Sequence, residues 1–424
     1  MRILAIETSC DDTAISIVEA KGGFKKPVFK VLAHHISSQT EIHQKWGGVV
    51  PTLAKREHGR NLVPLLIKSL TEAGLNSNPK SEILISKQIP NYQKPNSKQN
   101  KLAKILEREP ELKELFFKHL IDLPAPKIDI IAVTKGPGLE PALWVGINFA
   151  KALSILWNIP AVPTNHLAGH LYANLLTESN KLRFPALALI VSGGHTELIL
   201  VKNWLKYKVI GRTRDDAVGE AFDKVARILG LAYPGGPAIA DLTQKYADKT
   251  QTGTIKKSTP LSLSAITDPR ESACHLHKSA IKLPRPMINS PDFDFSFSGL
   301  KTAVLYLVQK LKIIGKFDEQ VKASIAKDFQ QACIDVLIAK TAKAIDKYQP
   351  KNLIIGGGVV ANLELRRQFA EKINTYQKIK LLIPEGQFST DNASMIAVAA
   401  YLQTQNKKIS KNSPIKASGH FPLK

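Results

Sequence analysis

The sequence predicts an α/β protein made of two copies of one ribonuclease-H-like unit, each with a mixed sheet. Three observations carry this. A strand, a polar turn and a second strand open the chain at residues 3–18, and the same pattern returns at 186–202. Helical and strand-like segments alternate after each opening. Glycine turns follow strand-like runs at Gly193–Gly194 and Gly356–Gly358.

The first unit reads in order. Ile3–Ile6 and Ala14–Val18 are short strands around a polar turn, and KVLAHHISSQ continues as a third. Leu53, Leu62, Leu65, Leu66 and Leu70 recur at three- and four-residue steps, a helix that Gly74 stops. Residues 76–127 are rich in Lys, Asn, Gln and Pro, then weakly helical, and read as an insertion. IDIIAVTKGPGL is a strand ending in a Gly-Pro-Gly turn. A helix over 141–157, the strand IPAVPT and the helical stretch TNHLAGHLYA follow.

The second unit begins with PALALIVSGGHTELILVKN, two strands around a Gly-Gly turn, and the helix RDDAVGEAFDKVARILGLA. Residues 248–286 read as another insertion. FSGLKTAVLYLVQKL and KASIAKDFQQACIDVLIAKTAKAID are helices. NLIIGGGVVANLELRRQFAEKI is strand, glycine turn and helix, and KLLIPEG is a strand. STDNASMIAVAAYLQ opens with a capping signal into a last helix.

The chain has 424 residues with 44% hydrophobic content, enough for two or three domains with filled cores. No run of about 18 apolar residues marks a membrane span, and MRILAIETSC turns polar too soon for a secretory signal. Cys10, Cys274 and Cys333 form no C-x-x-C pair, which argues for a reducing compartment. Net charge is +23, and residues 76–127, 248–286 and 401–424 hold 13 of it. Such a surface predicts an anionic partner, nucleic acid first.

His166 and His170 stand four apart and share a helix face. The spacing is that of H-E-x-x-H, but Leu167 stands where a protease needs its glutamate. A carboxylate beside them would complete a two-His, one-carboxylate site for Fe(II) or Zn(II). Asp391 offers one, although a carboxylate at a helix start also serves as a cap. Thr8, Ser9 and Thr13 in one turn, and Ser192, Gly193, Gly194 and Thr196 in another, suit a phosphate. Gly356–Gly358 suits a nucleotide at a helix start, and Asn362 either caps that helix or binds a ligand. Asp11, Asp12, Asp215, Asp216 and Asp223 lie near these turns, as general bases, metal ligands or turn formers. Cys10 has no neighbour that would lower its pKa. Cys274, His275 and His277 lack a further ligand pattern.

With these residues in view, the chain resembles the TsaD/Gcp family of tRNA N6-adenosine threonylcarbamoyltransferases. The matching stretches, in family order, are ILAIETSCDDTAISIV, GGVVPTLAKREH, GPGLEPALWVG, HLAGH, LIVSGGHTELILV, DDAVGEAFDKVARILGL with YPGGPAIA, DFSFSGLKTAV, GGGVVAN and STDNASMIA. They leave out 76–127, 248–286 and the tail after about residue 405.

The resemblance implies an actin/sugar-kinase/Hsp70 (ASKHA) fold, two lobes with a central nucleotide cleft. The first lobe would be 1–165 and the second 166–390. A helix over 391–404 would return to the first, and 405–424 would be a basic tail. The resemblance implies one divalent metal, Fe(II) in preference to Zn(II), on His166, His170 and Asp391. It implies that Ile190, Val191, Ser192, Gly193, Gly194, Asp223, Gly236 and Asn362 contact threonylcarbamoyl-AMP, and that Asp11 serves catalysis. The reaction would place threonylcarbamoyl on N6 of adenosine 37 in tRNAs reading codons that begin with A. The enzyme would be cytoplasmic, with a TsaB-like paralogue and a TsaE-like ATPase as partners. The alternative is an ATP-dependent small-molecule kinase of the same superfamily. Three positions depart from the family pattern: Asn165 replaces the first His of a frequent His-His, Asp12 replaces Glu, and Ala240 stands where some relatives have an acid, with Asp241 next.

Overall fold

A computed structural model describes residues 1–75, 97–178, 182–251, 282–406 and 415–423. The chain divides into two compact units. One comprises Met1–Ala186, Val201–Lys208 and Leu382–Lys424, the other Leu187–Leu200 and Val209–Leu381. His166 and His170 therefore belong to the first unit, although the sequence boundary at 165/166 would assign them to the second lobe.

The first unit is built on β1 (Arg2–Glu7), β2 (Asp12–Lys21), β3 (Val28–Ser38), β4 (Ile130–Gly136) and β5 (Ala161–Asn165), in the order β3-β2-β1-β4-β5. β2 runs antiparallel to β1 and β3, whereas β1, β4 and β5 are parallel. This is the ribonuclease-H-like mixed sheet that the sequence predicts. The unit's helices are α1 (Thr40–Gln44), α2 (Pro51–Glu72), α3 (Ser97–Ile105), α4 (Pro110–His119), α5 (Glu140–Trp157), α6 (His166–Tyr172) and α7 (Leu175–Glu178).

Strand alternation sorts the side chains. Leu4, Ile6, Ile15, Ile17, Ile131 and Val133 join one core cluster with Leu62, Leu66 and Leu70 of α2 and Leu143, Phe149 and Leu153 of α5. Each such burial stabilises by about 1.5–3 kcal/mol. Ala5, Glu7 and Ser16 consequently point to the opposite face. There Ser16 Oγ lies 2.7 Å from Ser394 Oγ of the last helix.

Residues 97–127, the later part of the stretch read as an insertion, pack into this core. Leu102, Leu106, Leu112, Phe116 and Leu120 are fully buried in the same cluster, so α3 and α4 belong to the core. Part of the stretch read as a basic tail packs on the first unit. Ile415 is buried in that cluster, and Ser418 N–H donates to the Lys135 carbonyl at 3.0 Å.

The second sheet comprises β6 (Ala186–Val191), β7 (Thr196–Asn203), β8 (Lys206–Arg212), β9 (Asn352–Gly356) and β10 (Lys380–Leu382), in the order β10-β9-β6-β7-β8. Counted from its own first strand, this repeats the first sheet's order, which supports the duplication. Its helices are α8 (Val218–Ile228), α9 (Gly235–Gln251), α10 (Ser298–Ile313), α11 (Glu319–Tyr348) and α12 (Leu363–Asn374). Phe222 and Phe329 meet edge to face at 5.0 Å where α8 packs on α11. The chain then closes with α13 (Ala393–Asn406), back in the first unit. Among the described residues no helix is long and apolar enough to cross a membrane. Cys274, His275 and His277 lie outside the described residues.

Candidate active site

Two local features carry the histidines to Asp391. Asn165 caps α6, its side-chain oxygen accepting from Ala168 N–H at 3.1 Å. At Gly169 α6 comes so close to α13 that a Cβ would lie 2.9 Å from Met395 Cγ. On α13, Asn392 Oδ1 takes the Met395 N–H at 2.9 Å. Asn392 is thus the cap, which leaves Asp391 for the imidazoles. Leu167 is buried at 1% exposure and is core.

The three groups converge. His170 Nε2 is 3.1 Å and His166 Nε2 3.6 Å from Asp391 Oδ1. One ligand atom from each of His166, His170 and Asp391 falls within 4.8 Å of the other two. The rings stand edge to face, 4.6 Å apart.

Glu7, which the sequence reading passed over, lies behind His166. It ends β1 on the face turned away from α2 and α5, and it is fully buried. Its carboxylate accepts from Ser9 N–H at 2.5 Å and Thr134 Oγ1 at 2.5 Å, and pairs with His166 Nδ1 at 3.1 Å. A carboxylate on Nδ1 fixes the tautomer and turns Nε2 towards a metal. Burial opposes charge on both rings. At His166 the charges of Asp391 and Glu7 outweigh it and hold the pKa up at about 9. At His170 burial prevails over the bond to Asp391 and the pKa falls. Two imidazole nitrogens and one carboxylate, with an orienting acid behind, fit Fe(II) or Zn(II).

The loop beside this triad is held from behind. His58 Nε2 lies 3.0 Å from the Cys10 carbonyl, and its Nδ1 lies 2.8 Å from Thr13 Oγ1. Burial pushes the His58 pKa down to about 4, so it is neutral. Thr8 Oγ1 donates to the Ala142 carbonyl at 3.1 Å. Thr8 and Thr13 therefore serve the fold, contrary to the phosphate reading, and Ser9 Oγ lies 3.2 Å from His166 Nδ1. Burial raises Asp11, and Asp391 adds to the rise. Asp12 is pushed up to about 7, mainly by burial. Burial and Asp11 also push the Cys10 thiol up, which disfavours a thiolate nucleophile.

In the second unit the glycine turns assemble around the end of β6. Gly357 has φ +99, and a Cβ there would lie 2.3 Å from the Val191 carbonyl oxygen. The Gly356–Gly358 turn is thereby pressed against β6. Side-chain positions at Gly193, Gly194, Gly236 and Gly358 meet nothing within 4 Å. That leaves backbone open to a ligand. The polar groups around them are used locally. Ser192 Oγ accepts from His195 N–H and Thr196 Oγ1 from Val218 N–H. Asp223 Oδ1 accepts from Gly235 N–H at 2.7 Å. Asn362 caps α12 through Leu365 N–H and donates to Gln330 Oε1. Asp215 holds the start of α10 through Phe297 N–H and Ser298, and Asp216 pairs with Lys224 and Lys301. These two aspartates are anchors. Asp241 pairs with Lys245.

A family model described as TsaD: tRNA N6-adenosine threonylcarbamoyltransferase matches residues 30–88, 110–268 and 261–398. The chain belongs to the TsaD family. It is 39% identical over 404 residues to the tRNA N6-adenosine threonylcarbamoyltransferase of Persephonella marina, covering 95% of this chain and 90% of that one. The Thermosipho africanus enzyme of the same name is 38% identical over 417 residues, 98% of each chain. The Bacillus subtilis enzyme is 37% identical, covering 94% and 89%. A ROK hexokinase structure from Thermus thermophilus aligns at 11% identity and a TM-score of 0.40 over 96% of this chain and 100% of that one. The strand order, not that likeness, carries the fold. Family membership makes the chain a tRNA-modifying acyltransferase and sets aside the kinase alternative. The family match also runs into both stretches read as insertions, through 76–88 and 110–127 of the first and all of 248–286.

Proposed function

We propose that this enzyme transfers the threonylcarbamoyl group of threonylcarbamoyl-AMP to N6 of adenosine 37 in tRNAs reading codons that begin with A. The observation that carries the reading is the convergence of His166 Nε2, His170 Nε2 and Asp391 Oδ1 with Glu7 behind His166. These three side chains would hold one divalent cation, Fe(II) in preference to Zn(II). Such a cation supplies Lewis acidity and a template for the activated donor.

The remaining roles fall to the chain. In the reaction N6 forms a bond to the carbamoyl carbon, the bond from that carbon to the phosphate oxygen breaks, and AMP leaves. N6 gives up one proton. Asp11 is the acceptor in this proposal, its burial raising its basicity. The leaving group is already activated, so no covalent enzyme intermediate is needed. The open turns at Gly193, Gly194, Gly236 and Gly358 support contact with the acyl-adenylate, Ile190, Val191 and Ser192 flanking them. Asp223 and Asn362 enter as residues that hold those turns and helix starts, with ligand contact added to their bonds. Adenosine 37 lies in a single-stranded loop, so little unpairing is required. The excess of lysine would hold tRNA phosphates. A TsaB-like paralogue and a TsaE-like ATPase complete the proposal, set in the cytoplasm.

The test is reconstitution with threonylcarbamoyl-AMP, tRNA and these partners, followed by mass spectrometry of tRNA nucleosides. Threonylcarbamoyladenosine that appears with the wild type and not with Asp391→Ala supports the reading. Equal product from both sinks it.

A further inference from the structure

We propose that residues 415–423 form a strap that positions the metal-binding helix α6, acting through Asn165. The inference rests on the metal reading of His166, His170 and Asp391.

The segment is tied to the two strands that lead into the site. Ser418 N–H donates to the Lys135 carbonyl at 3.0 Å, and Gly138 N–H donates to the Gly419 carbonyl at 3.3 Å. The Lys135 ammonium sits 4.5 Å from the centre of the Phe421 ring, a cation–π contact. Asn165 Nδ2 donates to the Phe421 carbonyl at 2.8 Å. Ile415 and Leu423 are buried at 4% and 8% exposure, so apolar anchors stand near both ends.

Two routes lead from this strap to His166. The first is Asn165, which faces Gly136 across the β4–β5 pair. One end of its amide caps α6 at Ala168 N–H and the other holds Phe421. The next residue is His166. The second route is the Gly-Pro-Gly turn. A Cβ on Gly136 would lie 2.0 Å from the Ser418 carbonyl oxygen, and one on Gly138 would lie 2.5 Å from the Ser9 carbonyl oxygen. The turn is thus clasped between strap and Ser9, whose Oγ lies 3.2 Å from His166 Nδ1. An amide can accept at the cap and donate to the strap at once, and a hydroxyl of Ser can cap but is too short to reach both.

The experiment uses Co(II) as the probe, titrated into full-length protein and read by its visible ligand-field bands. The variants are Asn165→Ser, which keeps a good cap, deletion of 415–424, and His170→Ala. Loss of an outer-shell support weakens metal binding by about 10-fold. We expect that loss, with altered bands, in Asn165→Ser and in the deletion, while the melting temperature of Asn165→Ser stays near wild type. Should the deletion fail to fold, Asn165→Ser alone decides. Wild-type affinity and bands in Asn165→Ser overturn the strap. Wild-type protein that shows no bands, or shows those of His170→Ala, overturns the metal reading and the strap with it.

Discussion

Metal affinity should depend on pH through His166. Its ring lies between Asp391 and Glu7, which together hold its pKa at about 9 against the effect of burial. A histidine binds a metal only as the neutral imidazole, so a cation has to displace that proton. Below pH 9 the apparent affinity should therefore rise about tenfold per pH unit, about 1.4 kcal/mol. Between about pH 6.5 and 8.5 that amounts to about 100-fold. Asp12, which titrates at about 7, can only steepen the lower end. The assay is competition for Zn(II) against a chromophoric chelator, corrected for the chelator's own protonation. Glu7→Gln should make the slope shallower, because it removes one charge that favours the imidazolium. A flat wild-type profile over this range would refute the reasoning, since His166 would then be neutral already or not a ligand.

Three further outcomes follow from the geometry. Asp12→Asn should stabilise the protein more at pH 8 than at pH 5 in thermal melts. A buried acid whose pKa is raised to about 7 costs stability once pH exceeds its unfolded value near 4, and the cost grows until about 7. Gly357→Ala should destabilise by about 3 kcal/mol or more, read by urea unfolding, because φ +99 and a 2.3 Å approach to the Val191 carbonyl oppose any side chain. Equal stability of that variant would mean that the turn is not held against β6. Affinity for tRNA should fall steeply with salt in a filter-binding titration, and a flat response would contradict phosphate contacts from the lysine-rich surface.

The strand–turn–strand repeat reads directly from alternating apolar residues, and the two sheets share one strand order. β8 escaped notice because KYKVIGR is an edge strand with exposed Lys206 and Lys208, so its apolar content is low. The weak helicity of α3 and α4 is legible in the sequence, but the polar run before them masks their place in the fold, where their leucines fill the first core. At the site, the i and i+4 histidines were legible from spacing alone. Asp391 was not, because only the fold of α13 against α6 brings residue 391 to residue 166, and Asn392 takes over the cap. Glu7 was missed because it reads as the polar end of a strand. A signal was available in the parity of β1: Leu4 and Ile6 face one core, which turns Glu7 to the opposite side. The hydroxyls of Thr8 and Thr13 misled for the converse reason. They are turn-like in sequence but point inward to Ala142 and His58.

The proposed chemistry requires the histidine–aspartate centre for threonylcarbamoyladenosine formation. The most direct measurement is quantitative mass spectrometry of tRNA nucleosides after reaction with threonylcarbamoyl-AMP, with wild type, His166→Ala and His170→Ala compared at equal folded concentration. We expect the modified nucleoside from wild type and a loss of about 100-fold or more in each variant, the order seen when a group that stabilises the transition state is removed. Product at the wild-type rate from both variants, or none from wild type with all partners present, would contradict it.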